Sequence, residues 1–114
     1  MKQLRTPSGN PFWYYESSGG ELIVYPADDS MEQQARSALA ITPFTVKLVC
    51  DAISQHQRIL MGASRDNPPR NSLGSILKEI KQSPQQLSYM IPILESRGLL
   101  SIKKQGKAYV ISSR

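Results

Sequence analysis

The most constraining feature of this chain is a pair of helix signals set almost back to back between Leu73 and Gly98. Leu73, Ile76, Leu77 and Ile80 recur at the spacing of one apolar helix face, and Asn71 or Ser72 stands where a cap belongs, so a helix is expected over about Leu73–Lys81. Gln82-Ser83 leaves room only for a very short turn, because Ser83-Pro84 is itself a cap followed by proline at the first helical position. The second helix is expected over residues 84–97. Leu87, Met90, Ile91 and Leu94 face inward, while Gln85, Gln86, Ser88, Tyr89 and Pro92 face outward. Gly98 supplies the left-handed residue that ends it. Two helices joined this tightly form a helix-turn-helix unit.

Downstream, Leu99–Lys103 and Ala108–Ser112 read as two strands joined by a Lys104-Gln105-Gly106-Lys107 turn, a hairpin with a basic tip. Pro92 removes the hydrogen bond its amide would have given to the Ser88 carbonyl and should bend the second helix there.

The pattern Ser83-x-x-x-Leu87-Ser88-x-x-Ile91-x-x-Leu94-Glu95-x-x-Gly98-Leu99, followed by a hairpin that ends in Tyr109-Val110-Ile111, resembles ArsR- and MarR-type winged-helix regulators. The resemblance covers about residues 44–112 and is strongest over 83–112. It implies an α+β fold, a winged helix-turn-helix domain of three or more helices plus a C-terminal β-hairpin wing, here preceded by an N-terminal β-hairpin extension. It also implies that helix 84–97 enters the DNA major groove and that wing 99–112 reaches phosphates or the minor groove. The chain departs from the family in three places: the loop from Gly62 to Asn71 is long, Lys81 stands where a turn glycine is common, and Pro92 lies inside the recognition helix.

Upstream, five of the eight aromatic residues fall in Phe12-Trp13-Tyr14-Tyr15 and at Tyr25, on either side of Ser17-Ser18-Gly19-Gly20. Two β-prone runs, 12–16 and 21–25, around a Gly-rich turn form a hairpin signal, with 5–11 as an irregular lead-in. Asp28, Asp29 and Ser30 are candidate caps for a short helix over about Met31–Leu39. Thr42-Pro43 starts a long core helix whose stripe takes in Phe44, Leu48, Val49, Ala52, Ile53 and Leu60. Residues 62–71 form a loop by composition. The expected organisation is therefore a segment 1–41, the aromatic hairpin and short helix, ahead of a winged-helix domain over 42–114.

Charge divides the chain along a similar line. Residues 1–56 carry four basic and six acidic side chains, whereas 57–114 carry ten basic and three acidic, so the C-terminal half is expected to face a polyanion, the alternative being a solvated basic surface with no partner. Gln85 and Gln86 can bond bidentately to adenine, Ser83 and Ser88 to bases or phosphate, and Tyr89 to phosphate or sugar. Lys103, Lys104 and Lys107 around Gly106 suit a phosphate-tracking wing, and Arg70 adds a further backbone contact.

Sequence-selective binding of double-stranded DNA by a transcriptional regulator is the leading expectation. Two others stay open: a winged-helix adaptor in plasmid or phage replication or partition, and a protein-interaction module that binds no DNA. His56 and Cys50 lack the further ligands of a metal site, and no catalytic motif is present, so neither enzyme activity nor a cofactor is expected. No apolar run reaches the length of a spanning helix, a lone cysteine forms no internal disulfide, and no signal peptide is seen; a cytoplasmic protein without membrane contact is expected, nucleoid-associated if bacterial or archaeal. The N-terminal rings are too many for a two-stranded ribbon to leave in water, which makes this half the candidate for homodimer contact or for another protein partner.

Overall fold

The computed structural model describes residues 1–26, 38–63 and 67–114, and within them an α+β fold of three α-helices and two antiparallel sheets. In the first sheet β1 (Lys2–Arg5), β2 (Pro11–Glu16), β3 (Leu22–Pro26) and β4 (Leu39–Ile41) lie side by side in chain order. The aromatic hairpin is β2–β3, with Trp13 opposite Tyr25 and Tyr15 opposite Ile23. Its turn closes through Gly20 N–H to the Ser17 carbonyl at 3.0 Å, with Gly20 at φ 85°. Strand alternation sends Phe12, Tyr14, Leu22, Val24 and Ile41 into the core, while Trp13, Tyr15, Ile23 and Tyr25 take the other face.

Two segments of this sheet were not expected as strands. Residues 2–5 pair with β2, so the irregular lead-in shrinks to the turn Thr6–Asn10. Leu39, expected at a helix end, begins the strand that pairs with β3. The remainder of the helix expected over 31–39 falls, apart from Ala38, outside the described residues. Each strand is too short to show alternation; what makes it a strand is the unpaired edge beside it.

Helix α1 (Pro43–His56) starts as expected, with the Thr42 hydroxyl accepting from Thr45 N–H at 3.2 Å. Its buried face is Thr45, Val49, Ala52 and Ile53. Phe44, expected on that stripe, is 69% exposed: at about 100° per residue it lies on the far side of a face centred on Thr45, Val49 and Ala52. Leu60, also expected there, is not helical. Gln57 turns left-handed at φ 61° and donates its N–H to Ile53, which ends α1 and starts β5 (Arg58–Leu60).

Helix α2 (Leu73–Glu79) opens with a reciprocal cap between Ser72 and Ser75. Lys81 then takes the left-handed conformation, φ 61°, that a turn glycine would supply more cheaply. Pro84–Gln86 is a single 3-10 turn rather than the first turn of an α-helix, and helix α3 runs over Leu87–Ser96 with Gly98 at φ 75° behind it. Pro92, expected to face outward, is buried, and α3 continues through it. Strands β6 (Leu100–Gln105) and β7 (Ala108–Ser113) form the second sheet with β5 in the order β5-β7-β6.

One core joins the two halves. Phe12, Leu22 and Ile41 from the first sheet meet Val49, Leu77, Leu87, Met90, Ile91 and Ile111 in one buried cluster, at about 1.5–3 kcal/mol for each large side chain removed from water. Gly74 sets how closely the parts approach. Its N–H donates to the Met61 carbonyl at 2.9 Å, and a Cβ there would fall inside the van der Waals shell of the Gly62 carbonyl oxygen.

Candidate nucleic-acid interface

The junction between α2 and α3 builds one edge of the candidate site. The Ser83 hydroxyl accepts from Gln85 N–H at 3.3 Å, which caps the 3-10 turn and leaves Gln85 exposed. Gln86 is placed otherwise. It is 5% exposed, and its Nε2 donates to the Ser83 carbonyl at 3.0 Å and to Gln82 Oε1 at 3.4 Å. Residues three apart eclipse in a 3-10 turn, so this geometry folds Gln86 back onto Ser83 and corrects its expected role as an outward base reader.

Ser88 and Tyr89 are half-buried at the start of α3. The Tyr89 ring stands edge-on to Phe12 with centroids 5.2 Å apart, so the first sheet holds it in place. Ser88 sits where three surface clefts meet. One is bordered by Pro7, Ser8, Lys107 and Tyr109, a second by Thr6, Asn10 and Tyr89, and a third by Pro26, Leu39, Ser83 and Gln85. Among the described residues no acidic side chain lines any of them.

The β6–β7 hairpin supplies the cations. Gln105 pairs with Ala108, leaving Gly106-Lys107 as a two-residue turn with positive φ only at Gly106, the pattern of a type II′ turn. Lys103, Lys104 and Lys107 are all exposed. They do not share one direction: Lys104 is paired with Tyr109, whereas Lys103 is paired with Val110 and takes the opposite face of the hairpin. Tyr109 and Lys107 border the same cleft as Ser88, so the hairpin tip and the start of α3 meet on one surface.

Arg70 is not brought to that surface. It borders a separate cleft with His56, Ser75 and Glu79. The Arg97 guanidinium sits at the other end of α3 and pairs with Glu16 at 3.3 Å, an exposed pair that contributes little stability. Glu95 is also at that end, accepting from Ile102 N–H at 3.3 Å. Among the described residues, the start of α3 is thus its acid-free end.

What the sequence reading missed is the β1–β2 turn, whose Ser8 borders two of the clefts that reach Ser88. The signal was there: Pro7-Ser8-Gly9-Asn10 is turn chemistry. Its position beside α3 was not in the local sequence.

Burial pushes the Cys50 thiol above its ordinary pKa, and the neighbouring Asp51 carboxylate adds to the shift. Among the described residues no three His, Cys, Asp or Glu side chains gather into a metal-binding group, and no helix is long and apolar enough to cross a membrane. Comparison of the chain with known protein families, with curated proteins and with solved structures finds no match.

Proposed function

We propose that residues 42–114 form a winged-helix domain and that the chain binds double-stranded DNA with sequence preference, as a transcriptional regulator without catalytic activity. The order α1-β5-α2-α3-β6-β7, the sheet order β5-β7-β6 and the tight junction at Ser83-Pro84 support the winged-helix reading. One observation carries the DNA reading: exposed Gln85, half-buried Ser88 and the hairpin lysine Lys107 border clefts that meet at Ser88 and, among the described residues, hold no carboxylate. Lys104 and Lys107 neutralise phosphates, Ser83 and Ser88 bond the backbone or bases, Tyr89 reaches sugar or phosphate, and Gln85 reads a base edge.

A homodimer fits the same reading, since one start of α3 covers only a half-site. Phe12 and Tyr14 are spent in the chain's own core, which leaves Trp13, Tyr15, Ile23 and Tyr25 on the outer face of the first sheet as its contact; the Tyr15 and Tyr25 rings stack there at 6.3 Å.

The test is a titration of labelled mixed-sequence duplexes across salt. Six to eight neutralised phosphates per dimer give a slope of log K on log salt of about −5 to −7. A chain that binds no duplex at about 50 mM salt would remove the DNA reading and leave the protein-interaction module.

A further inference from the structure

We propose that the β1–β2 turn is a third nucleic-acid contact, laying Arg5, Ser8 and Asn10 along the phosphate backbone between the start of α3 and the β6–β7 hairpin. The inference rests on the DNA reading above and adds a contact that the helix-turn-helix unit does not contain.

Position is the first ground. Ser8 borders one cleft with Lys107 and Ser88 and a second with Ser88 and Tyr89, so a duplex lying across Ser88 and Lys107 passes over this turn. The turn is also tethered there. The Tyr109 hydroxyl donates to the Pro7 carbonyl at 3.1 Å, joining the hairpin to a residue 102 positions away in the chain.

Preorganisation is the second. Thr6 N–H donates to the Asn10 carbonyl at 2.8 Å, Gly9 N–H to the Thr6 carbonyl at 2.8 Å, and Asn10 N–H to Thr6 Oγ1 at 3.0 Å. Three of the turn's main-chain donors are thereby used internally, and Ser8 and Asn10 stand exposed with their positions already set, so that binding orders little. Arg5 folds over the same turn, donating through Nη1 to the Gly9 carbonyl at 2.8 Å. A guanidinium has five donors in a planar fork, so the rest remain for phosphate oxygens.

Charge is the third. The first acidic side chain of the sequence is Glu16, so β1, the turn and nearly all of β2 carry only Lys2 and Arg5. In a chain with nine carboxylate side chains, a segment this long without one suits a polyanion.

The experiment measures binding of the full chain to a labelled 24-base-pair mixed-sequence duplex as a function of salt, for the unaltered protein, Ser8→Glu, Arg5→Gln and the control Ser18→Glu. Ser18 lies in the β2–β3 turn, at the opposite end of the sheet, and its substitution makes the same change in net charge. Ser8→Glu is expected to weaken binding about tenfold or more relative to Ser18→Glu, and Arg5→Gln to lower the salt slope by about one. Far-UV circular dichroism and a thermal melt establish that each variant is folded. An unaltered chain that ignores the duplex overturns both the DNA reading and this one. A chain that binds, with Ser8→Glu within about threefold of Ser18→Glu and an unchanged slope in Arg5→Gln, overturns the turn's role and leaves α3 and the hairpin as the interface.

Discussion

Replacing Gly74 by Ala sets helix propensity against packing, and the two predict opposite signs. Gly74 lies in the first turn of α2, where Ala is worth about 1 kcal/mol more than Gly on propensity alone. In the fold, however, the added methyl carbon would overlap the Gly62 carbonyl oxygen and stand 2.7 Å from the Gly62 carbonyl carbon and 3.0 Å from Pro68 Cβ. Two of those atoms are backbone, so relief requires α2 to move away from the Met61–Gly62 segment. The movement breaks the 2.9 Å hydrogen bond from Gly74 N–H to Met61 and leaves a buried donor unpaired, at about 1–3 kcal/mol. It also loosens Leu73 and Leu77, both fully buried, where even partial loss of packing costs about 1–2 kcal/mol each. Net destabilisation of at least about 3 kcal/mol is expected, a large share of the 5–15 kcal/mol that holds a domain folded. Urea unfolding followed by circular dichroism measures it. A Gly74→Ala midpoint equal to or above that of the unaltered chain would refute the close approach of α2 to Gly62.

The paired glutamines should separate cleanly. Gln86→Ala is expected to cost about 1–2 kcal/mol in a urea melt with sequence preference unchanged, because its buried amide bonds Ser83 and Gln82. Gln85→Ala should leave stability within about 0.5 kcal/mol but cost about 1–3 kcal/mol on the preferred duplex, and equal effects on all duplexes would exclude base readout. Lys81→Gly should raise the urea midpoint by the equivalent of about 0.5–1 kcal/mol at constant m, as relief of the left-handed lysine exceeds the added chain entropy; a lower midpoint contradicts this. Because its pKa is raised, less Cys50 is thiolate at a given pH than in an ordinary thiol. Thiol labelling of the folded chain at pH 8 should therefore run slower than that of the urea-unfolded chain and gain more when the pH is raised, whereas equal rates would show Cys50 unshielded.

By itself the sequence determined the features whose causes lie within a turn or two of chain. Ser83-Pro84 dictates a helix restart through one cap and one ring, Thr42-Pro43 does the same for α1, and Gly98 and Gly106 stand at positive φ where a helix end and a two-residue hairpin require it. The two β-prone runs on either side of Ser17-Ser18-Gly19-Gly20 marked β2 and its partner β3. Only tertiary structure decided the rest. Strands β1, β4 and β5 are three or four residues long and exist because a neighbouring edge offers unpaired amides and carbonyls. Gln86 turned inward because the start of the helix wound as a 3-10 turn, and Phe44 outward because β7 and β5 pack on another stripe of α1. Arg70 was drawn to a separate cleft with Glu79, and the β1–β2 turn came to rest beside Ser88. Caps, glycines and periodicity act locally and can be read locally, whereas which side chains share a surface depends on contacts as distant as that between Pro7 and Tyr109.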